Sequence, residues 1–128
     1  MDLIKVVCGV IYKDNKILLC RRKPGKFLEG YWEFPGGKVE DSESYEDSLI
    51  RELQEELEMT VEIESLITTS KHDYEQFSIE LIAYKCIYKT SNFKLTDHDK
   101  YEWVKPNDLL NWKLAPADIP IAEKLIIG

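Results

Sequence analysis

Apolar blocks along the chain alternate with short polar breaks, and the period inside each block separates strands from helices. Residues 3 to 12 (LIKVVCGVIY) are rich in β-branched residues and run into the polar turn Lys13-Asp14-Asn15-Lys16. Residues 17 to 21 (ILLCR) form a second apolar run, so the two blocks predict a hairpin. Residues 22 to 30 carry Pro24, Gly25 and Gly30 and predict a loop. Tyr31 to Phe34 predicts a short aromatic strand stopped by Pro35-Gly36-Gly37. Further strands are predicted at Val61 to Thr69, Phe77 to Tyr88 and Tyr101 to Val104, with a polar connection over residues 91 to 100.

Elsewhere the period changes. Tyr45, Leu49, Leu53 and Leu57 recur every fourth residue with Ile50 beside them, which predicts a helix from about Ser44 to Glu58 with one apolar stripe. Ser44 is the expected N-cap, and Asp47 three residues on makes a capping-box variant. Pro106-Asn107-Asp108 predicts a helical turn through Leu110, and a final helix is predicted from about Asp118 to Ile127. Several strands and two helices in one domain spanning residues 1–128 predict an α/β sandwich with a mixed sheet, a helix on each face.

Composition narrows function more than fold. A hydrophobic share of 44% and a charged share of 32% are globular values. The net charge of −7 disfavours a nucleic acid polymer as partner but admits a small anionic ligand if a divalent cation mediates. No apolar run approaches the ~18 residues of a membrane span. The start MDLIKVV lacks a basic region followed by an apolar one, so no membrane partner and a cytoplasmic location are expected. Cys8, Cys20 and Cys86 lie in apolar stretches with no CxxC pair, which predicts buried free thiols.

The most informative stretch is Gly36 to Met59. At about 100° per residue, Glu52, Glu55 and Glu56 fall in a sector roughly 100° wide beside the leucine stripe. Like charges three or four residues apart cost a few tenths of a kcal/mol per pair, roughly, and a divalent cation removes that cost. Mg²⁺ and Mn²⁺ prefer such oxygen donors. A solvated acidic face is the plain alternative. Against it, Glu55 and Glu56 lie late in the helix, where the macrodipole disfavours negative charge, and a glycine pair precedes the segment. No GxxxxGK[ST] loop, GxSxG elbow or Cys-His spacing is present, so a covalent nucleophile is not expected.

Gly37, five residues, Glu43, seven residues, then Arg51-Glu52-Leu53-Gln54-Glu55-Glu56 resembles the Nudix box, with every charged position filled from Gly37 to Met59. One position departs. The glycine usually found two residues after the glutamate pair is Glu58, at the point where a left-handed helix exit is expected. Trp32 to Gly37 looks like the lead into the box in MutT-type members. The tail Leu114-Ala115-Pro116-Ala117-Asp118-Ile119-Pro120 resembles the base-reading segment of small MutT-like nucleoside triphosphate pyrophosphohydrolases, nearest in look to the cytidine triphosphate subgroup.

The resemblance implies a Nudix-type α/β/α sandwich and hydrolysis of a (deoxy)nucleoside triphosphate to the monophosphate and pyrophosphate. CTP, dCTP or modified and oxidised nucleotides are the expected substrates. The alternatives are 8-oxo-dGTP, in a pool-sanitising and DNA repair role, and a catalytically silent nucleotide sensor. The implied ligands of Mg²⁺ or Mn²⁺ are Gly37, Glu52, Glu55, Glu56 and Asp97. Glu52 is the implied base or the holder of the attacking water, with Glu55 and Arg51 as its catalytic neighbours. Arg51 is expected to orient the glutamates by ion pairing, and Glu43 to do similar supporting work or bind metal. Asp97 could equally be a solvated loop carboxylate.

Arg22 and Lys38 are candidates for phosphate contacts, or surface cations. Phe34, with Tyr31 and Trp32, offers a stacking surface or simply core. His98 is expected on the loop surface and His72 at a strand end, neither with a catalytic role. Asp118 could cap the last helix, accept a hydrogen bond from the base, or do both. An ionised carboxylate suits N4 of cytosine, or N1–H and the N2 amine of guanine, and would be unpaired against the carbonyls of uracil.

Overall fold

The fold is that of a computed structural model, which describes residues 2–126. Seven strands form one sheet: β1 (Leu3–Lys13), β2 (Lys16–Arg22), β3 (Trp32–Glu33), β4 (Gly36–Lys38), β5 (Met59–Asp73), β6 (Ser78–Ser91) and β7 (His98–Val104). The main path runs β3-β2-β1-β6-β5, with β4 paired to β1 and β7 to β2. β1 and β6 run parallel over Leu3↔Ser78 to Tyr12↔Ile87, and the other pairs are antiparallel, so the sheet is mixed. The β1–β2 hairpin turns at Asp14 and Asn15, both at positive φ, as a two-residue connection requires.

Alternation along the central strands divides the core in two. Val7, Ile11, Leu18, Cys20 and Ile82 face α1 (Tyr45–Leu57), where Leu49, Leu53 and Leu57 are buried. Cys8, Val10, Ile17, Leu19 and Ala83 face the other way, toward α2 (Ile119–Ile126) and its Ile121 and Ala122. This is the expected α/β/α sandwich with helices on opposite faces. Ile50 is the exception in the predicted stripe: it is exposed, because it lies one residue past the line of leucines. Cys8, Cys20 and Cys86 are buried free thiols.

Ser44 caps α1, its side chain accepting from the Asp47 N–H at 3.1 Å. At the other end Glu58 sits at φ 47°, ψ 47°, and its N–H donates to the Gln54 and Leu53 carbonyls. The left-handed exit is therefore kept without the glycine that makes it easy.

Several boundaries move. Gly36 to Lys38 forms β4, where a stop is predicted, because pairing with Val6 to Cys8 holds it extended. β5 and β6 run beyond their predicted ends as one long hairpin. β7 starts at His98, inside the predicted polar connection. A 3₁₀ turn covers Pro106–Asn111, and another, Pro116–Asp118, precedes α2. Ile127, the predicted last residue of the final helix, lies outside the described residues. Among those residues no helix is long and apolar enough to cross a membrane.

Candidate active site

Residues of α1, of strands β1 to β4 and β6, and of the 113–118 segment line one cleft of about 910 Å³, a size typical of small-ligand sites. One wall is acidic. Glu52 and Glu56 lie one turn apart on α1, and Asp97 precedes β7; all three line the cleft. Burial, and then Asp97, push the Glu56 carboxyl up to about 9. The Glu56 side chain and Lys26 hold the Asp97 carboxyl down to about 2. Glu56 Oε2 is buried with no hydrogen-bond partner. Burial also raises Glu52 above the usual carboxylate range, against the pull of Arg51.

Gly36 and Gly37 face this wall at close quarters. A Cβ on Gly37 would overlap the Glu52 carboxylate, and one on Gly36 would overlap the Val7 backbone. Lys38 also lines the cleft; its carbonyl accepts from Ser48 Oγ and Arg51 Nη2, and its ammonium has no hydrogen bond or ion pair among the described residues. Arg51 lies behind the wall. Its Nε and Nη2 donate to the two oxygens of Glu43 at 2.7 and 2.9 Å, which holds the Glu43 carboxyl down to about 2. Its Nη1 reaches Glu52 Oε1 at 3.0 Å and Glu55 Oε1 at 3.1 Å. Arg51 thus fixes one oxygen of Glu52 and leaves the other toward Gly37.

The same cleft is lined by two further acids, Glu33 and Asp118. The 113–118 segment is tied to β3 by Trp32 N–H donating to Lys113 C=O and Ala115 N–H to Trp32 C=O, both at 2.8 Å. That contact carries Asp118 beside Phe34, whose N–H donates to Asp118 Oδ2 at 2.9 Å. Asp118 is only 4% exposed. Its carboxyl is pushed up, first by burial and then by the neighbouring Glu33. Glu33 Oε2 accepts from Arg22 Nη1 at 3.0 Å and lies 2.8 Å from His98 Nε2. Phe27, Tyr74 and Phe77 form the aromatic rim, with ring centroids 5.1 to 5.5 Å apart.

Several predicted site residues are placed differently from expectation. Glu55 is exposed, does not line the cleft and is held by Arg51. The Phe34 ring is 2% exposed and packs in the core on the α2 side, so its backbone N–H is its polar contribution. Tyr31 and Trp32 do not line the cleft; Trp32 packs against Trp112. The Arg22 guanidinium is committed to Glu33 and the Phe27 carbonyl. The Asp118 side chain binds the Phe34 amide and makes no bond to the first turn of α2, so the expected helix cap is not formed. His98 is buried rather than a surface residue, while His72 stands at the end of β5 against Tyr74.

Sequence patterns gave no signal for Glu33, His98 or the aromatic rim as site residues.

The donors fit a hard divalent cation in kind: they are carboxylates, one with an unpartnered buried oxygen, beside glycines that leave room. They line one wall and do not close into a cage; among the described residues no three acidic, His or Cys groups already converge as a metal cluster.

Comparison with known proteins agrees over nearly the whole chain. The NUDIX domain family model matches residues 6–124. The CTP pyrophosphohydrolase of Escherichia coli (strain K12) is 36% identical over 123 residues, covering 96% of this chain and 91% of that protein. The 8-oxo-dGTP diphosphatase of Proteus vulgaris is 40% identical over 79 residues, or 61% of this chain and 70% of that protein. The solution structure of the MutT protein of methicillin-resistant Staphylococcus aureus 252 superposes with a TM-score of 0.76 at 41% identity, covering 99% of this chain and 98% of that one.

Proposed function

This chain belongs to the Nudix family of hydrolases, and we propose that it hydrolyses a (deoxy)nucleoside triphosphate to the monophosphate and pyrophosphate, with cytidine-type nucleotides preferred. One observation carries this: a single cleft is lined both by Glu52, Glu56 and Asp97 of the acidic wall and by Glu33 and Asp118. A triphosphate would lie between them, its phosphates toward the wall and its base toward the pair.

Glu52, Glu56, Asp97 and the Gly37 carbonyl would hold Mg²⁺ or Mn²⁺, which neutralises the phosphates and makes bound water more acidic. Glu52 takes the proton of the attacking water. Its raised basicity and its free oxygen suit that task. Arg51 fixes the Glu52 rotamer, and Glu43 in turn fixes Arg51. Glu55 supports from outside the cleft, through the same guanidinium. Lys38, on the cleft lining, offers its ammonium to a phosphate oxygen. Arg22 acts on the base end instead, by holding Glu33.

At the base end, Asp118 has one oxygen bound to the Phe34 amide and the other left for the ligand. Burial and the neighbouring Glu33 favour the protonated form of Asp118, which would offer an O–H donor to the base. Cytosine matches that with its N4 amine and its N3 lone pair. The rim of Phe27, Tyr74 and Phe77 supplies the stacking face. A second reading, 8-oxo-dGTP, draws support from the similarity to the Proteus vulgaris enzyme and from the N1–H and N2 amine of guanine, which also suit a carboxylate.

The test is pyrophosphate release with Mg²⁺ across CTP, dCTP, 5-methyl-dCTP, dGTP, 8-oxo-dGTP, UTP and ADP-ribose, with Glu52→Gln alongside. Cytidine-type triphosphates are expected to have the highest kcat/KM, and Glu52→Gln to lower kcat by about 10² to 10⁴. A lead for 8-oxo-dGTP would keep the chemistry and reject the cytosine preference. A lead for ADP-ribose would reject the triphosphate reading.

A further inference from the structure

We propose that His98 is a positioning residue: it fixes the base-reading acid Glu33 and stands between that acid and Glu56 of the acidic wall. The inference rests on the reading that the Glu33–Asp118 pair meets the base.

His98 opens β7 opposite Arg22, at the register shift between Arg21 and Arg22. Such a bulge re-aims side chains, and here the His98 and Arg22 side chains both meet Glu33. The His98 side chain is almost completely enclosed. Its Nε2 is 2.8 Å from Glu33 Oε2, the oxygen that also accepts from Arg22 Nη1 at 3.0 Å. Two contacts on one oxygen, from Arg22 Nη1 and His98 Nε2, lock the carboxylate rotamer. The other Glu33 oxygen has no hydrogen bond among the described residues, and Glu33 lines the cleft. Asp118 is arranged in the same way, with one oxygen tied to the Phe34 amide. Each acid therefore has one oxygen fixed by the protein and one left for a ligand.

The other imidazole nitrogen carries the second half of the inference. Nδ1 is buried without a partner, 3.7 Å from Glu56 Oε2, which is itself buried and unpartnered. An unpaired polar pair in the interior costs stability, and an apolar side chain would avoid that cost. Among the described residues, the Nε2 contact to Glu33 is the imidazole's hydrogen bond. Because the ring fills the space between Glu33 and Glu56, a shift at either carboxylate meets the other through it.

The experiment compares His98→Asn and His98→Gln. Gln places an amide N–H near the Nε2 position; Asn is too short to do so. Binding of the α,β-methylene analogues of CTP, UTP and dGTP in Mg²⁺ is measured by calorimetry, with kcat and KM for the matching triphosphates and the thermal midpoint of each variant. His98→Asn is expected to weaken the preferred analogue about tenfold and to erode discrimination among the bases. His98→Gln is expected to restore both to within about threefold. If the wild type discriminates and His98→Asn still does so with unchanged affinity, the proposal is overturned while the acid-pair reading stands. A loss confined to kcat overturns it too, because His98 would then act on the acidic wall alone. Equal binding of all three analogues by the wild type overturns the acid-pair reading and this proposal with it. Should His98→Asn fail to fold, wild-type protein labelled with ¹⁵N-histidine decides: the His98 Nε2–H resonance is expected to shift when the CTP analogue binds, and an unmoved resonance overturns the proposal.

Discussion

Adjacent glycines of the box are expected to fail in different ways when given a methyl group. In Gly37→Ala the new Cβ overlaps the Glu52 carboxylate, the far end of a flexible side chain. The fold can yield there. Glu52 swings out of the cleft and gives up its 3.0 Å contact with Arg51, at a stability cost of about 1 kcal/mol, since the pair is partly exposed. A catalytic group displaced by ~1 Å loses about 10² in rate, so kcat should fall by roughly that factor or more. In Gly36→Ala the Cβ overlaps the Val7 backbone inside the β1–β4 pairing, where Cys8 faces Gly36. Nothing flexible is available to move, and β4 must separate from β1. A cost of about 3 kcal/mol or more is expected. Differential scanning calorimetry and steady-state pyrophosphate release separate the two. Gly37→Ala should melt within about 5 °C of wild type yet be nearly inactive, whereas Gly36→Ala should melt about 10 °C lower or not fold. A Gly37→Ala enzyme with wild-type kcat would refute the steric account of Glu52 placement.

Two further outcomes follow from the same geometry. In metal-free protein the Glu56 carboxyl is held up to about 9 by burial and by Asp97. Its contribution to stability is complete below the unfolded value of about 4.5 and is lost as pH rises toward 9. Asp97 works in the opposite sense, but only at the acid end, down to about 2. The thermal midpoint without metal should therefore decline from pH 5 to pH 9, and saturating Mg²⁺ should flatten the decline. A Mg²⁺ gain independent of pH would contradict this assignment. Glu58→Gly relieves the left-handed conformation at the end of α1 while losing surface contacts to Asn92 and Lys94. A gain of about 0.5–1 kcal/mol is expected, read as a melting rise of roughly 2–4 °C.

Residues in sequence proximity were legible because helical spacing alone places them. Glu52 and Glu56 share a face at any tertiary arrangement, and the Ser44 cap and the left-handed Glu58 follow from local backbone chemistry. The alternation in β1 and β2 likewise dictates a sheet buried on both faces, hence a helix on each. His98 was misread because it sits in a polar run, TDHDK, whose composition says solvent. A bulge opposite Arg22 turns it inward, and a bulge leaves no periodic trace. Phe34 and Asp118 were singled out, but their partnership was invisible: 84 residues separate the amide from the carboxylate that it meets.

The sequence by itself therefore determined the layers of this protein, the acidic helix and the class of chemistry that helix supports, since each depends on contacts within a few residues. Tertiary structure alone decided which carboxylates face the cleft, which are held behind it by Arg51, and that Glu33 and Asp118 join the same cleft. The physical reason is range. Side-chain period fixes direction along one element, whereas the meeting of β3, the box helix, β7 and the 113–118 segment depends on how the whole sheet twists and pairs.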